Sequence, residues 1–248
     1  MELAGKKALV TGGAVRIGRA ICERLAEAGC DIVIQYNHSG DEAHALREGL
    51  AEKGVRSLAI QANLMDMGAV SRLVPDASEQ MGGLDILINN AAVFNKTSLL
   101  DSPPDTVQAE LTVNALAPIE LMRTFGKLRG ETPHGGWPTA RIVNLLDRRV
   151  AGVEAGALPY TLSKKMLRDA TQAAARDLGP GISVNAVAPG PILPPPGEGD
   201  DYLSEKAGPM VFGRCPTPSD IAHAVLFLLQ ADGMTGQVIY VDSGQHLL

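Results

Sequence analysis

The 248-residue sequence is poor in cysteine, in phenylalanine and in long apolar runs, and it has no excess of basic charge. Cys22, Cys30 and Cys215 are odd in number and lack metal-ligand spacing, which predicts buried, inert thiols at Cys22 and Cys30. His38, His44, His134, His223 and His246 are scattered, with no HxxxH or Cys/His cluster, so no metal site is expected. No apolar stretch approaches the length that spans a bilayer. A formal net charge of −6 argues against nucleic acid or an anionic membrane as partner. The opening residues, Met1-Glu2-Leu3-Ala4-Gly5-Lys6-Lys7, run straight into a short strand pattern without a secretory apolar region, so the expected location is cytoplasmic.

What is present is an apolar fraction of 45%, ample for a large core, arranged as short apolar runs alternating with helical patterns. The runs are Ala8–Val10, Asp31–Tyr36, Ser57–Ile60, Asp85–Asn89, Arg141–Leu145, Ser183–Ala188 and Gln237–Val241. Helical patterns cover Ile17–Ala28, Asp41–Lys53, Met67–Met81, Asp105–Arg129, Pro159–Leu178 and Pro218–Leu229. Such alternation predicts an α/β fold: a single Rossmann-type doubly wound domain over residues 1–248, with a seven-stranded parallel sheet and helices on both faces. Gly130–Thr139, rich in glycine and holding the only tryptophan, reads as a surface loop. The proline-rich, acidic stretch at about 190–217 follows the sixth strand, where ligands of open α/β sheets bind, and is expected to be a substrate lid.

Two segments carry chemistry. Val10-Thr11-Gly12-Gly13-Ala14-Val15-Arg16-Ile17-Gly18 is a glycine-rich turn between a strand and a helix. There, backbone amides and the helix dipole favour a pyrophosphate. Ile142-Val143-Asn144-Leu145-Leu146-Asp147 is followed by Tyr160-Thr161-Leu162-Ser163-Lys164. A tyrosine and a lysine one turn apart share a helix face, and an ammonium beside a phenol is expected to lower the phenol pKa and make it a proton donor or acceptor near neutrality. No acid stands at the end of the second strand, Gln35-Tyr36-Asn37-His38-Ser39; the first beyond it is Asp41. An acid there would favour NAD(H) by holding a ribose 2′-hydroxyl, so NADP(H) is expected, with Arg16, Asn37, His38 and Ser39 at the phosphate end.

Together these segments resemble the short-chain dehydrogenase/reductase superfamily along essentially the whole chain. The resemblance implies a nicotinamide-dependent hydride-transfer enzyme whose catalytic set is Asn114, Asp147, Tyr160 and Lys164, with Asp147 where most members carry serine. It implies that Gly12, Arg16, Ile17 and Gly18 bind the cofactor, as do Asn63, Leu64, Asn90, Ala91 and Ala92 around the adenosine. Pro189, Gly190 and Ile192 would line the nicotinamide, and Tyr160 and Lys164 would also contact the cofactor.

Arg16 in place of the middle glycine, Asp147, and Phe94 shortly after Asn89-Asn90-Ala91-Ala92 are similar to the pteridine reductase branch. Its members stack a phenylalanine on a pterin ring, so Arg16, Phe94, Asp147 and Tyr160 are the expected substrate contacts. His38 and Ala92 depart from that branch, and Arg148 and Arg149 have no assigned role. The expected function is NADPH-dependent reduction of a pterin, folate or similar heterocycle. The alternatives are a carbonyl or 3-oxoacyl ketoreductase or alcohol dehydrogenase of the same superfamily, and a non-catalytic NADP-binding regulator. The resemblance also implies a homotetramer, paired through helices that carry Ala170, Ala173, Ala174 and Ala175 on outward faces.

Overall fold

The computed structural model describes residues 1–130, 136–195, 197–199 and 201–248. The short apolar runs become β1 (Lys7–Val10), β2 (Asp31–Tyr36), β3 (Ser57–Gln61), β4 (Ile86–Asn89), β5 (Ala140–Leu145), β6 (Ile182–Pro189) and β7 (Val238–Val241). They form one parallel sheet in the order β3-β2-β1-β4-β5-β6-β7. Strands β1, β2, β4, β5 and β6 are buried along nearly their whole length, as expected of a parallel sheet covered on both faces. The order reverses between β1 and β4, so a crevice opens beyond their carboxyl ends. Val10 lies beside Ile34 and Ile88, and Asn89 beside Asn144, which brings the ends of β1, β2, β4 and β5 to that crevice.

The helices are α1 (Arg16–Glu27), α2 (Gly40–Glu52), α3 (Met67–Met81), α4 (Pro104–Leu111), α5 (Ala117–Arg129), α6 (Leu158–Asp177), α7 (Asp201–Lys206) and α8 (Pro218–Gln230). Ile21 and Leu25 of α1, Leu46 of α2 and Val225 of α8 pack on one face of the sheet. Leu73 of α3, Phe125 of α5 and Leu167 of α6 pack on the other. Cys22 and Cys30 are buried among these apolar side chains, and burial pushes the Cys30 thiol up to about 12, far from a reactive thiolate.

Three sequence expectations change. The single helix expected over Asp105–Arg129 is instead α4, a π turn at Thr112–Leu116, and α5. Pro118 has no amide hydrogen to give the carbonyl four residues earlier, that of Asn114, so the α ladder loses a bond here and the π turn sits at that break. Ala175 does not face outward: it is buried against the sheet, because the helix turns its Leu167–Thr171–Ala175 edge inward. The stretch at about 190–217 contains α7 and is tied to the C-terminal segment, Gln245 Nε2 donating to the Ala207 carbonyl at 2.6 Å and the Phe212 amide to the Ser243 carbonyl at 3.3 Å. Within the loop read at Gly130–Thr139, residues 131–135, including His134, lie outside the described residues, as do Pro196 and Asp200 of the proline-rich stretch. Among the described residues, no helix is long and apolar enough to cross a membrane.

Candidate active site

The crevice over β1 and β4 holds a groove of about 450 Å³. Its floor is the turn joining β1 to α1. Gly12 has φ +60° there, and a Cβ on it would lie 3.0 Å from the Ala91 Cα. A Cβ on Gly18 would lie 2.0 Å from the Gly12 carbonyl oxygen, so the turn closes this tightly only without side chains. Helix α1 opens at Arg16 with no side-chain cap and no acid in its first turn, which leaves amide hydrogens free to meet an anion. Arg16 itself adopts φ +55°, a left-handed conformation costly for a residue with a Cβ. That backbone explains why a glycine suits the position.

Hydrogen bonds staple the turn to its neighbours. Gln35 is buried, with Oε1 accepting from the Gly12 amide at 2.9 Å and Nε2 donating to the Ala62 carbonyl at 2.7 Å. The Thr11 hydroxyl accepts from the amides of Asn90 and Ala91, at 3.0 and 3.1 Å. Asn90 Nδ2 donates back to the carbonyls of Thr11 and Gly12, at 2.9 and 3.1 Å. Ile17, Asn37, His38, Ser39, Asn63, Leu64 and Ala92 also line the groove. Asn37 Nδ2 lies 3.0 Å from His38 Nε2, and Asn63 Oδ1 accepts from the Met65 amide at 3.0 Å.

Beyond the groove, β5 ends at Leu145 and Asp147 caps the short 3-10 turn Arg148–Ala151, its Oδ1 accepting from the Arg149 amide at 2.8 Å. Tyr160 and Lys164 stand one turn apart near the start of α6, the first 9% and the second 2% exposed. The expected effect of lysine on tyrosine is not what this arrangement produces. Burial pushes the Tyr160 phenol well above its ordinary value, and the negative charge of Asp147 pushes it further the same way. The Lys164 ammonium donates to the Leu145 carbonyl at 2.7 Å and lies 5.7 Å from the Tyr160 ring centre, and burial lowers it to about 8. Tyr160 is therefore a neutral phenol with a transferable proton at neutral pH.

Asp147 has a counter-charge of its own. The Arg149 guanidinium reaches both carboxylate oxygens, at 3.2 and 3.3 Å, and opposes the push of Asp147 on the phenol. Arg149 Nε also donates to Glu154 at 3.1 Å, and Arg148 pairs with the same Glu154. Phe94, 49% exposed, meets Tyr160 edge-to-face with ring centres 4.7 Å apart, and Arg149 lies 5.6 Å from its ring centre. Asn114 is fully buried in the π turn, donating to the carbonyl of Val93 at 2.8 Å and to Ser163 Oγ at 3.0 Å. Asn144 serves the scaffold, accepting from Asn89 and donating to Thr171, both at 2.8 Å.

The family model described as Enoyl-(Acyl carrier protein) reductase matches residues 13–246. The chain is 33% identical to the 3-oxoacyl-[acyl-carrier-protein] reductase FabG of Staphylococcus aureus, over 98% of each chain. It is similar to FolM Alternative dihydrofolate reductase 1 from Brucella canis, solved with NADP, at TM-score 0.91 and 33% identity over 100% of this chain and 96% of that one. A short chain dehydrogenase from Burkholderia cenocepacia, also solved with NADP, gives TM-score 0.89 and 36% identity over 98% and 99%. The chain belongs to the short-chain dehydrogenase/reductase superfamily.

In this short-chain dehydrogenase/reductase, Asn114 and Lys164 aside, the site residues read from sequence fall in three places. Gly12, Arg16, Ile17, Gly18, Asn37, His38, Ser39, Asn63, Leu64, Asn90, Ala91 and Ala92 line the groove. Phe94, Asp147 and Tyr160 gather beside it, with Arg16 reaching across to donate to the Leu193 carbonyl at 3.3 Å. Pro189 ends β6, Gly190 lies against Asp242 so closely that a Cβ would sit 2.9 Å from its Cα, and the Ile192 side chain is buried in the apolar cluster around α1 and α8. Arg149, Glu154 and Gln35 were not assigned from sequence. The spacing Asp147-x-Arg149 at the start of a tight turn was a signal for the first; nothing local pointed to the inward turn of Gln35.

Proposed function

We propose that this protein, an NADP(H)-dependent oxidoreductase, reduces a pterin, a folate or a similar flat nitrogen heterocycle. The observation that carries the proposal is Asp147 beside Tyr160, with its carboxylate held by Arg149 and the Phe94 ring against Tyr160 and Arg149. A carboxylate accepts two N–H bonds from an amino-pyrimidine edge, while a ring face offers stacking area to a flat substrate. Tyr160, kept neutral by burial, holds the proton that a reduced ring nitrogen takes up. The likeness to a FolM alternative dihydrofolate reductase supports the same substrate class.

The groove fits a phosphorylated dinucleotide: the turn at Gly12 and Gly18 has no room for a Cβ, and the open N-terminus of α1 faces an anion. Gly12, Arg16, Ile17 and Gly18 would hold the pyrophosphate, with Asn37, His38 and Ser39 at the 2′-phosphate. Asn63, Leu64, Asn90, Ala91 and Ala92 would surround the adenosine. Tyr160 and Lys164 would meet the nicotinamide ribose, and Pro189, Gly190 and Ile192 the nicotinamide. When bound, NADPH supplies the hydride. The segment at about 190–217 would cover the substrate, and the chain would form a single domain. The groove of about 840 Å³ between α5 and α6, lined by Ile119, Met122, Ala170, Ala173 and Ala174, supports self-association into a homotetramer, which the mass from light scattering tests. Three free thiols suit a reducing, cytoplasmic location.

The 33% identity to a 3-oxoacyl reductase favours ketoreduction as the second reading. Turnover of dihydrobiopterin, dihydrofolate and dihydromonapterin against small ketones, with NADPH and NADH side by side, decides between them. Asp147→Ser should lower turnover of the reduced pterin by about 10- to 100-fold and leave a small ketone unaffected or better used. Equal loss on both classes returns ketoreduction to first place.

A further inference from the structure

Glu110, on α4, is fully buried outside the groove, and its charge adds to the push of burial and Asp147 that raises the Tyr160 phenol. Its Oε1 accepts from the backbone amide of Asn95 and from Asn95 Nδ2, the latter at 3.1 Å. Among the described residues, its Oε2 is buried without a hydrogen-bond partner. Four residues on, Asn114 grips the other end of the same short segment, Oδ1 accepting from the Val93 amide and Nδ2 donating to the Val93 carbonyl, both at 2.8 Å. Phe94 is the residue between these two anchors. Its ring is half exposed, so little packing holds it; the orientation toward Tyr160 is imposed through the backbone on either side.

We propose that Glu110 is a positioning residue which, with Asn114, fixes Val93–Asn95 so that Phe94 presents its ring to a flat substrate, and that it thereby sets selectivity for planar heterocycles over small ketones. The substrate half of this proposal rests on the heterocycle reading above. Burial pushes the Glu110 carboxyl up, although the two Asn95 bonds pull it back. A carboxyl oxygen accepts the Asn95 amide whether or not the acid is charged, and so does the side-chain carbonyl of a glutamine. An alanine offers nothing, and the amide hydrogen of Asn95 loses its partner.

The experiment compares Glu110→Ala, Glu110→Gln, Phe94→Leu and the double variant Glu110→Ala/Phe94→Leu in the full chain with NADPH bound. Fluorophenylalanine labelling gives one resonance for each of the four phenylalanines, and loss of a peak in Phe94→Leu assigns Phe94. Glu110→Ala should move or broaden the Phe94 resonance and leave those of Phe125, Phe212 and Phe227 in place; Glu110→Gln should leave all four in place. With a dihydropterin, Glu110→Ala should raise KM by about ten-fold and change kcat little, while KM for a small ketone stays constant. Its effect should disappear in the Phe94→Leu background, because the two residues act through one ring.

An unmoved Phe94 resonance in Glu110→Ala, a moved one in Glu110→Gln, or losses that add in the double variant each overturn the proposal. A moved Phe94 resonance in Glu110→Gln overturns it even if Glu110→Ala does not fold. If the parent reduces ketones and no pterin, the heterocycle reading fails. The fluorine shifts then still decide the role of Glu110.

Discussion

The groove takes Gly12, Arg16 and Gly18 from one turn closed by its backbone, whereas the adjoining wall gathers the side chains of Phe94, Asp147 with Arg149, and Tyr160 from three separate segments. In the first region the chemistry follows from geometry: a Cβ on Gly12 would lie 3.0 Å from the Ala91 Cα and one on Gly18 2.0 Å from the Gly12 carbonyl oxygen, so no side chain fits at either position. In the second it follows from charge and exposure. Asp147 raises the Tyr160 phenol, Arg149 opposes it, and Phe94 remains half open. A fold can keep the first unchanged while varying the second, which is how one nicotinamide scaffold serves different substrates.

The largest expected effect breaks the wall at its proton. Tyr160→Phe should lower kcat by about 10²- to 10⁴-fold with NADPH affinity nearly unchanged, since only the hydroxyl is lost. Single-turnover kinetics together with a fluorescence titration of NADPH check this, and retention of more than a few percent of kcat would assign the proton to Asp147.

Next comes the groove. Gly18→Ala places a methyl against the Gly12 carbonyl and 2.7 Å from Asn90 Nδ2, so the turn must open. NADPH binding should weaken by about 100-fold or more, a cost in the range typical of core overpacking. A titration calorimeter reads it, and unchanged affinity would mean that the turn is more adaptable than its contacts suggest.

The smallest effect sharpens the contrast. Arg149→Met removes the cation that lowers the Tyr160 phenol and orients Asp147. The phenol should then ionise at higher pH, because the negative field of Asp147 acts unopposed and disfavours the phenolate. In the pH profile of kcat/KM for reduction, the change near 8 that belongs to Lys164 should stay in place, while the fall at higher pH that belongs to the Tyr160 proton should move up, with about a ten-fold lower plateau on a flat heterocycle. A limb that stays in place or moves down would show that Arg149 does not act on Tyr160 through Asp147.

Much of the fold was legible because strand-helix alternation and the strand-turn-helix at Gly12 are local patterns. Seven strand runs read from sequence agree with β1 to β7 to within one residue at either end. Ends of helices were legible where punctuation is local, as at Asp66, whose side chain caps α3, and Gly82, whose φ of +71° stops it. The π turn around Asn114 was less so. Pro118 was visible, but the chain could have kinked, broken or bulged in response, and contacts of Asn114 with Val93 and Ser163 accompany the bulge.

Sequence by itself determined the seven-stranded sheet and the shared helix face of Tyr160 and Lys164, because each rests on a short spacing or on a pattern that repeats along the chain, while the superfamily and the place of Asp147 came from resemblance to known motifs. Only the tertiary structure decided that the phenol is pushed up and not down, that Asp147 answers to Arg149, and that Glu110 and Asn114 hold Phe94 from either side. Desolvation and charge depend on what surrounds a group in three dimensions, and those surroundings come from residues far apart in the chain.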